Sequence, residues 1–91
     1  MSEFAPLVAS PLLIPHVRNP GVRGGRRIAA GRLDGEWALQ VNDAVTTYGS
    51  PVALVHAFNE ALRNAGRVGL TSRPEAVKLT VDALRAAEQA L

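Results

Sequence analysis

Five arginines, Arg18, Arg23, Arg26, Arg27 and Arg32, lie between Phe4 and Leu33 with no acidic residue among them. A guanidinium group is always charged and presents its donors as a planar fork, so the chemistry open to such a cluster is the binding of phosphate or carboxylate. From Asp34 to Leu91 the chain holds five basic and seven acidic residues, so the formal net charge of +2 conceals a one-signed half. Clustering of one sign raises the local potential and gathers anionic surfaces. Arg23, Arg26, Arg27 and Arg32 are therefore the candidate contacts to nucleic acid. The competing use of the same residues is a charged strand edge that keeps sheets from joining edge to edge. Trp37 allows two roles as well: a platform for stacking bases, or a roof over the core with Arg32 lying on the indole as a cation–π contact.

Catalytic constellations find little support. His16 lies in a proline-bounded stretch, and His56 sits four residues before Glu60, the spacing of a solvated helical pair. Two histidines without further ligands do not make a metal site. The stretch Gly21-Val22-Arg23-Gly24-Gly25-Arg26 lacks the Lys-Ser/Thr of a phosphate-binding P-loop. With no cysteine there is no disulfide framework, thiolate nucleophile or Cys-based zinc site. The expectation is a protein that is not an enzyme, with no metal and no cofactor. Nothing approaches a transmembrane length, and Pro6, Pro11 and Pro15 interrupt the apolar N-terminal stretch, so a cytoplasmic protein with no membrane partner is expected.

The elements that must position these residues follow from turn chemistry. Pro6, Pro11, Pro15 and Pro20 with Gly21, Gly24 and Gly25 make residues 1–26 an extended arm rather than a helix. Its apolar residues, among them Leu7, Val8, Leu12, Leu13 and Ile14, are too many for a solvated tail, so the arm should pack on its own domain or a neighbour. Residues 27–91 then form a single small α+β domain. Asp34-Gly35 and Asn42-Asp43 are hairpin turns, and Trp37, Leu39 and Val41 alternate with Glu36, Ala38 and Gln40 as in a half-buried strand. A three-stranded antiparallel meander over about 27–48 results. Two-residue turns place Trp37 opposite Arg32 and Tyr48, with Leu39 and Val41 beside Ala30 and Ile28.

Two helices follow the meander. Ser50-Pro51 is a cap followed by proline at the first helical position, and Gly66 is placed for a left-handed terminus, which gives a helix over 51–65. Leu54, Val55, Phe58, Ala61, Leu62 and Ala65 form its buried stripe; His56, Asn59, Glu60 and Arg63 face water. Ser72-Arg73-Pro74-Glu75 has capping-box spacing and starts a second helix running to the C-terminus. The apolar arc of that helix is too wide for one partner helix, so Val77, Val81, Leu84 and Leu91 are the candidate homo-oligomer interface, shared with the arm. A chain of 91 residues buries only about 60 to 65% of its unfolded surface, and a partner subunit adds to a thin margin.

Two stretches resemble known families. Residues 23–65, with an arginine-rich first strand, Gly35-Glu36-Trp37-Ala38-Leu39-Gln40-Val41 and an alanine-bearing helix, resemble the AP2-type DNA-binding domain. That resemblance implies a three-stranded sheet laid in the major groove, with Arg27, Arg32 and Trp37 as contacts. The run from Ser72 to Leu84 resembles the second helix of ribbon-helix-helix repressors, which implies an intertwined dimer and a phosphate at that helix's N-terminus. The function expected is thus a small non-enzymatic nucleic-acid-binding module, homo-oligomeric, whose basic hairpin contacts phosphates. The alternative is a structural or adaptor protein of a viral or other large assembly, whose N-terminal arm joins neighbouring subunits by protein–protein interaction.

Overall fold

The sheet is organised by two tight turns that require left-handed backbone. Asp34 and Gly35 have φ of 52° and 79°, and Asn42 has φ 53°, conformations that glycine, aspartate and asparagine tolerate best. They join β3 (Ile28–Leu33), β4 (Glu36–Val41) and β5 (Ala44–Tyr48) into the expected antiparallel meander, with Arg32 opposite Trp37, Ala30 opposite Leu39, and Trp37 opposite Tyr48. The computed structural model describes residues 3–15, 25–71 and 77–91.

The sheet has a fourth strand that turn signals did not announce. β1 (Ala5–Ala9) pairs antiparallel with β3, so the order is β1-β3-β4-β5 and the architecture is α+β. The expected extended arm of residues 1–26 therefore contributes a strand, Ala5–Ala9, to the sheet. A register shift between Pro6 and Val8 bends β1 towards Gly31. A Cβ at Gly31 would collide with the Ala5 carbonyl oxygen and lie 2.9 Å from the Pro6 Cα, so this position admits no side chain. Beyond β1, Leu13 and Arg26 exchange backbone hydrogen bonds of 3.0 and 2.7 Å, and β2 (Ile14–Pro15) pairs with β6 (Leu70–Thr71). Leu13 is thereby drawn into the core.

α1 (Pro51–Arg67) begins as its sequence signals require: the Ser50 hydroxyl accepts from the Ala53 amide at 3.1 Å, and Pro51 follows. It runs two residues past the expected end. The left-handed position after it belongs to Gly69, φ 84°, whereas Gly66 lies inside the helix. Leu54, Val55, Phe58 and Ala65 are buried on the sheet face formed by Ile28, Ala30 and Leu39. Asn59, expected to face water, is buried as well. Its amide nitrogen donates to the Leu79 carbonyl at 2.9 Å and its oxygen accepts from the Leu79 N–H at 2.8 Å. One side chain thus satisfies both polar groups of a buried backbone unit.

That double bond explains the shortened second helix. Residues 77–80 are not helical, and α2 (Val81–Gln89) starts at Thr80, whose hydroxyl accepts from the Ala83 N–H at 3.1 Å. The expected cap at Ser72–Glu75 lies outside the described residues, and no helix spans 77–80 to connect it with α2. Had a helix run through Leu79, its N–H and C=O would be committed within that helix and unavailable to Asn59. α2 packs on both α1 and β1, so the second contact that its apolar arc required comes from the arm of the same chain. Among the described residues, no helix is long and apolar enough to cross a membrane.

Replacing Asn59 with alanine orphans a buried donor and a buried acceptor on Leu79, each at about 1 to 3 kcal/mol. Chemical denaturation of Asn59→Ala is expected to show a loss of roughly 2 to 5 kcal/mol, with α2 exchanging its amides before the sheet does. A loss within about 0.5 kcal/mol, the level of an exposed surface change, would contradict this role.

Candidate nucleic-acid interface

Among the described candidate contacts, Arg27 and Arg32 stand apart. Arg23 lies outside the described residues. Arg26 and Arg27 stand at the start of β3, where the Arg27 carbonyl accepts from the Asn42 N–H at 2.8 Å and the Arg27 N–H donates to Asn42 Oδ1 at 3.0 Å. Arg32 is five residues further on, about 16 Å along the strand. Strand alternation also gives Arg27 and Arg32 opposite sides of the sheet. The arrangement implied by the AP2-type resemblance, with Arg27, Arg32 and Trp37 presented together, is therefore absent from this fold.

Arg32 and Trp37 form a structural unit. The guanidinium carbon lies 4.2 Å from the Trp37 ring centroid, and Nε is 3.5 Å from Glu88 Oε2 on α2. Trp37 is half-buried against the core, and Arg32 lies over its ring. The Arg32–Trp37 contact matches the core-roof reading of the sequence, and the Glu88 pairing extends it to the C-terminal helix.

Topology assembles a different set of cations. β5 ends at Tyr48 beside Trp37, and α1 then packs on the sheet in the reverse direction towards the Arg27 end. Its last turn leads into β6, which pairs with β2, next to the Leu13–Arg26 bridge. Arg63 and Arg67 thus reach the same end of the molecule as Arg26 and Arg27. Both are well exposed, and both pair with Glu60, at 2.8 Å for Arg63 and 3.5 Å for Arg67. One carboxylate serves two guanidinium groups, so cationic capacity remains. Glu60 is consequently held by these arginines rather than by His56, its expected partner. The sequence placed Arg63 only on a polar face; the clue to its position was the direction of α1, set by the short Gly49-Ser50 connection after β5.

The candidate oligomer residues also separate. Leu84 has no exposed surface within the single chain, which makes it a core residue and not an interface, and Val81 is half-buried against the core. Val77 and Leu91 are 83% and 89% exposed. They therefore do not share a face with Leu84. Among the described residues there is no cluster of histidine and acidic side chains suited to a metal ion.

Comparison of the chain with protein-family models, with curated proteins and with solved structures gives no match.

Replacing Arg32 with alanine uncovers one face of the indole and leaves Glu88 unpaired. Partly exposed cation–π contacts and ion pairs each contribute about 0.5 to 1 kcal/mol, so Arg32→Ala should lose roughly 1 to 2 kcal/mol. Acrylamide quenching of the Trp37 fluorescence should rise in parallel. Unchanged quenching would show that Arg32 does not cover the ring in solution.

Proposed function

We propose that this protein is a small non-enzymatic nucleic-acid-binding module whose contact surface is the basic end made by Arg26, Arg27, Arg63 and Arg67. The observation that carries this reading is topological: Arg26 and Arg27, just before β3 and on opposite sides of the sheet by strand alternation, and Arg63 and Arg67, in the last turns of α1, lie towards one end of the fold. Guanidinium groups spaced along such an end suit the regularly repeated phosphates of a nucleic-acid backbone. The Glu60 pairs do not oppose this role, because exposed ion pairs contribute only about 0 to 1 kcal/mol and are readily exchanged for phosphate. Arg32 and Trp37 are left out of the proposed contact set because the guanidinium lies over the indole, a stack that exchange of an ion pair does not undo. Recognition of this kind reads charge and backbone rather than base identity.

The structural or adaptor role remains the second reading, favoured by one observation: β5 is an edge strand whose residues Ala44 to Thr47 are all exposed. Binding to mixed-sequence duplex and single-stranded nucleic acid, followed by fluorescence anisotropy at several salt concentrations, decides between them. Wild-type affinity should fall with salt at about 0.9 log units per log unit for each phosphate contacted on duplex DNA, hence about 3 to 4 for four contacts. Arg27→Glu combined with Arg67→Glu should abolish binding while keeping the thermal midpoint within a few degrees, since exposed charge changes usually alter stability by under about 0.5 kcal/mol. Absence of wild-type binding at low salt refutes the nucleic-acid reading and favours the structural one.

A further inference from the structure

The two edges of the four-stranded sheet are unlike. β1 carries Pro6, which has no N–H to offer, and a register shift, and it is packed against α2. These are the devices by which proteins blunt an edge against further pairing. β5 has none of them. Its sequence, Ala44-Val45-Thr46-Thr47-Tyr48, contains no charge and no proline, and β-branched and aromatic residues make up four of the five. Among the described residues, no strand pairs with its outer edge.

The hydrogen-bonding capacity of that edge is fixed by the hairpin. With a two-residue turn, Val41 and Ala44 form the first hydrogen-bonded pair, and the pattern then alternates, so Ala44, Thr46 and Tyr48 direct their backbone groups to β4. Val45 and Thr47 direct theirs outward. An antiparallel partner must therefore present two outward residues at the same spacing of two. A second copy of β5 does so. With a two-fold axis at Thr46, Val45 of one copy stands opposite Thr47 of the other, and each pair exchanges two N–H to C=O bonds, four in all. Thr46 faces Thr46 of the second copy as a non-hydrogen-bonded pair, and Ala44 faces Tyr48, a small residue against a large one.

Charge and access agree with that occupant. Asp43 would meet Gly49 of the second copy, so the register brings no like charges opposite one another. Asn59 turns one flank of α1 to Leu79 and α2; helical spacing gives the opposite flank Ala57, Ala61 and Asn64, and Ala44 to Thr47 of β5 all remain exposed. An extended peptide of another protein would meet the same four backbone groups, but the match of side chains and of symmetry is specific to this strand. We infer that the protein forms a two-fold dimer by antiparallel pairing of β5 with β5 of a second copy, giving a continuous eight-stranded sheet. This interface shares no residue with the proposed basic end.

The test uses the full chain without nucleic acid, so its outcome is separate from that of the binding experiment. Sedimentation should show a concentration-dependent monomer–dimer equilibrium. Val45→Lys combined with Thr47→Lys sets like charges opposite each other across the axis and should shift that equilibrium to monomer, with circular dichroism unchanged because both side chains are exposed. Thr46→Cys supplies the positional check. The chain has no other cysteine, and Cα atoms of a non-hydrogen-bonded antiparallel pair lie about 4.5 Å apart, within the range that a disulfide spans. Mild oxidation should convert Thr46→Cys to a covalent dimer, whereas Val52→Cys, exposed on α1, should remain monomeric under the same conditions. A wild-type chain that stays monomeric at high concentration overturns the inference. So does a dimer that survives the two lysines, or one in which Thr46→Cys links no faster than Val52→Cys.

Discussion

The close approach of β1 to β3 at Gly31 is the constraint on which the remaining structure depends. With no side chain at that position, the Ala5–Pro6 backbone lies where a methyl group would otherwise be. The N-terminal stretch becomes a strand of its own sheet and not a free connector. Its presence gives α2 a second surface to pack on and protects one edge of the sheet. By the same step β5 is left as the edge without protection. A small domain with few aromatic side chains gains from this arrangement, since the added strand half-buries Leu7 and Val8, and the bridge beyond it buries Leu13, without requiring a wider core.

Charge follows from the same geometry. Arg32 is opposite Ala5 on one side and Trp37 on the other, and Glu88 reaches it from the C-terminal helix. One cation therefore joins the first strand's neighbour, the central strand and the last helix. Among the described arginines of the basic half, Arg32 is tied to Trp37 and Glu88, while Arg27 is exposed and Arg26 half-buried. Arg63 and Arg67, which belong to the acidic half of the sequence, join the surface group because α1 carries them back to the start of β3. Charge counted along the chain and charge arranged in space consequently differ.

Features governed by local rules were legible in the sequence. Asp34-Gly35 and Asn42-Asp43 set the turns, the alternation through Trp37, Leu39 and Val41 set the register, and Ser50-Pro51 set the start of α1. The Arg32–Trp37 contact followed from that register. What was hidden depends on partners distant in sequence. Pro6 reads as a strand breaker, and only the matching gap at Gly31 makes an edge strand possible there. Asn59 reads as a polar residue on an exposed face until Leu79, twenty residues away, supplies a buried donor and acceptor. With its N–H and C=O given to Asn59, Leu79 stays outside the helix, and α2 starts at Thr80. How the arginines are grouped was not legible in the sequence, because strand parity separates Arg27 from Arg32 and helix direction carries Arg63 and Arg67 towards the Arg27 end.

The division of the arginines into structural and surface groups is the central claim, and a nuclear magnetic resonance titration tests it most directly. Amide, guanidinium and indole N–H signals are followed as a short mixed-sequence duplex is added at low salt. The account predicts shifts for Arg26, Arg27, Arg63 and Arg67, while the Trp37 indole N–H and the Arg32 Nε–H stay in place. Shifts concentrated on Trp37 and Arg32 would contradict it, because that pair would then be the contact surface and not part of the frame.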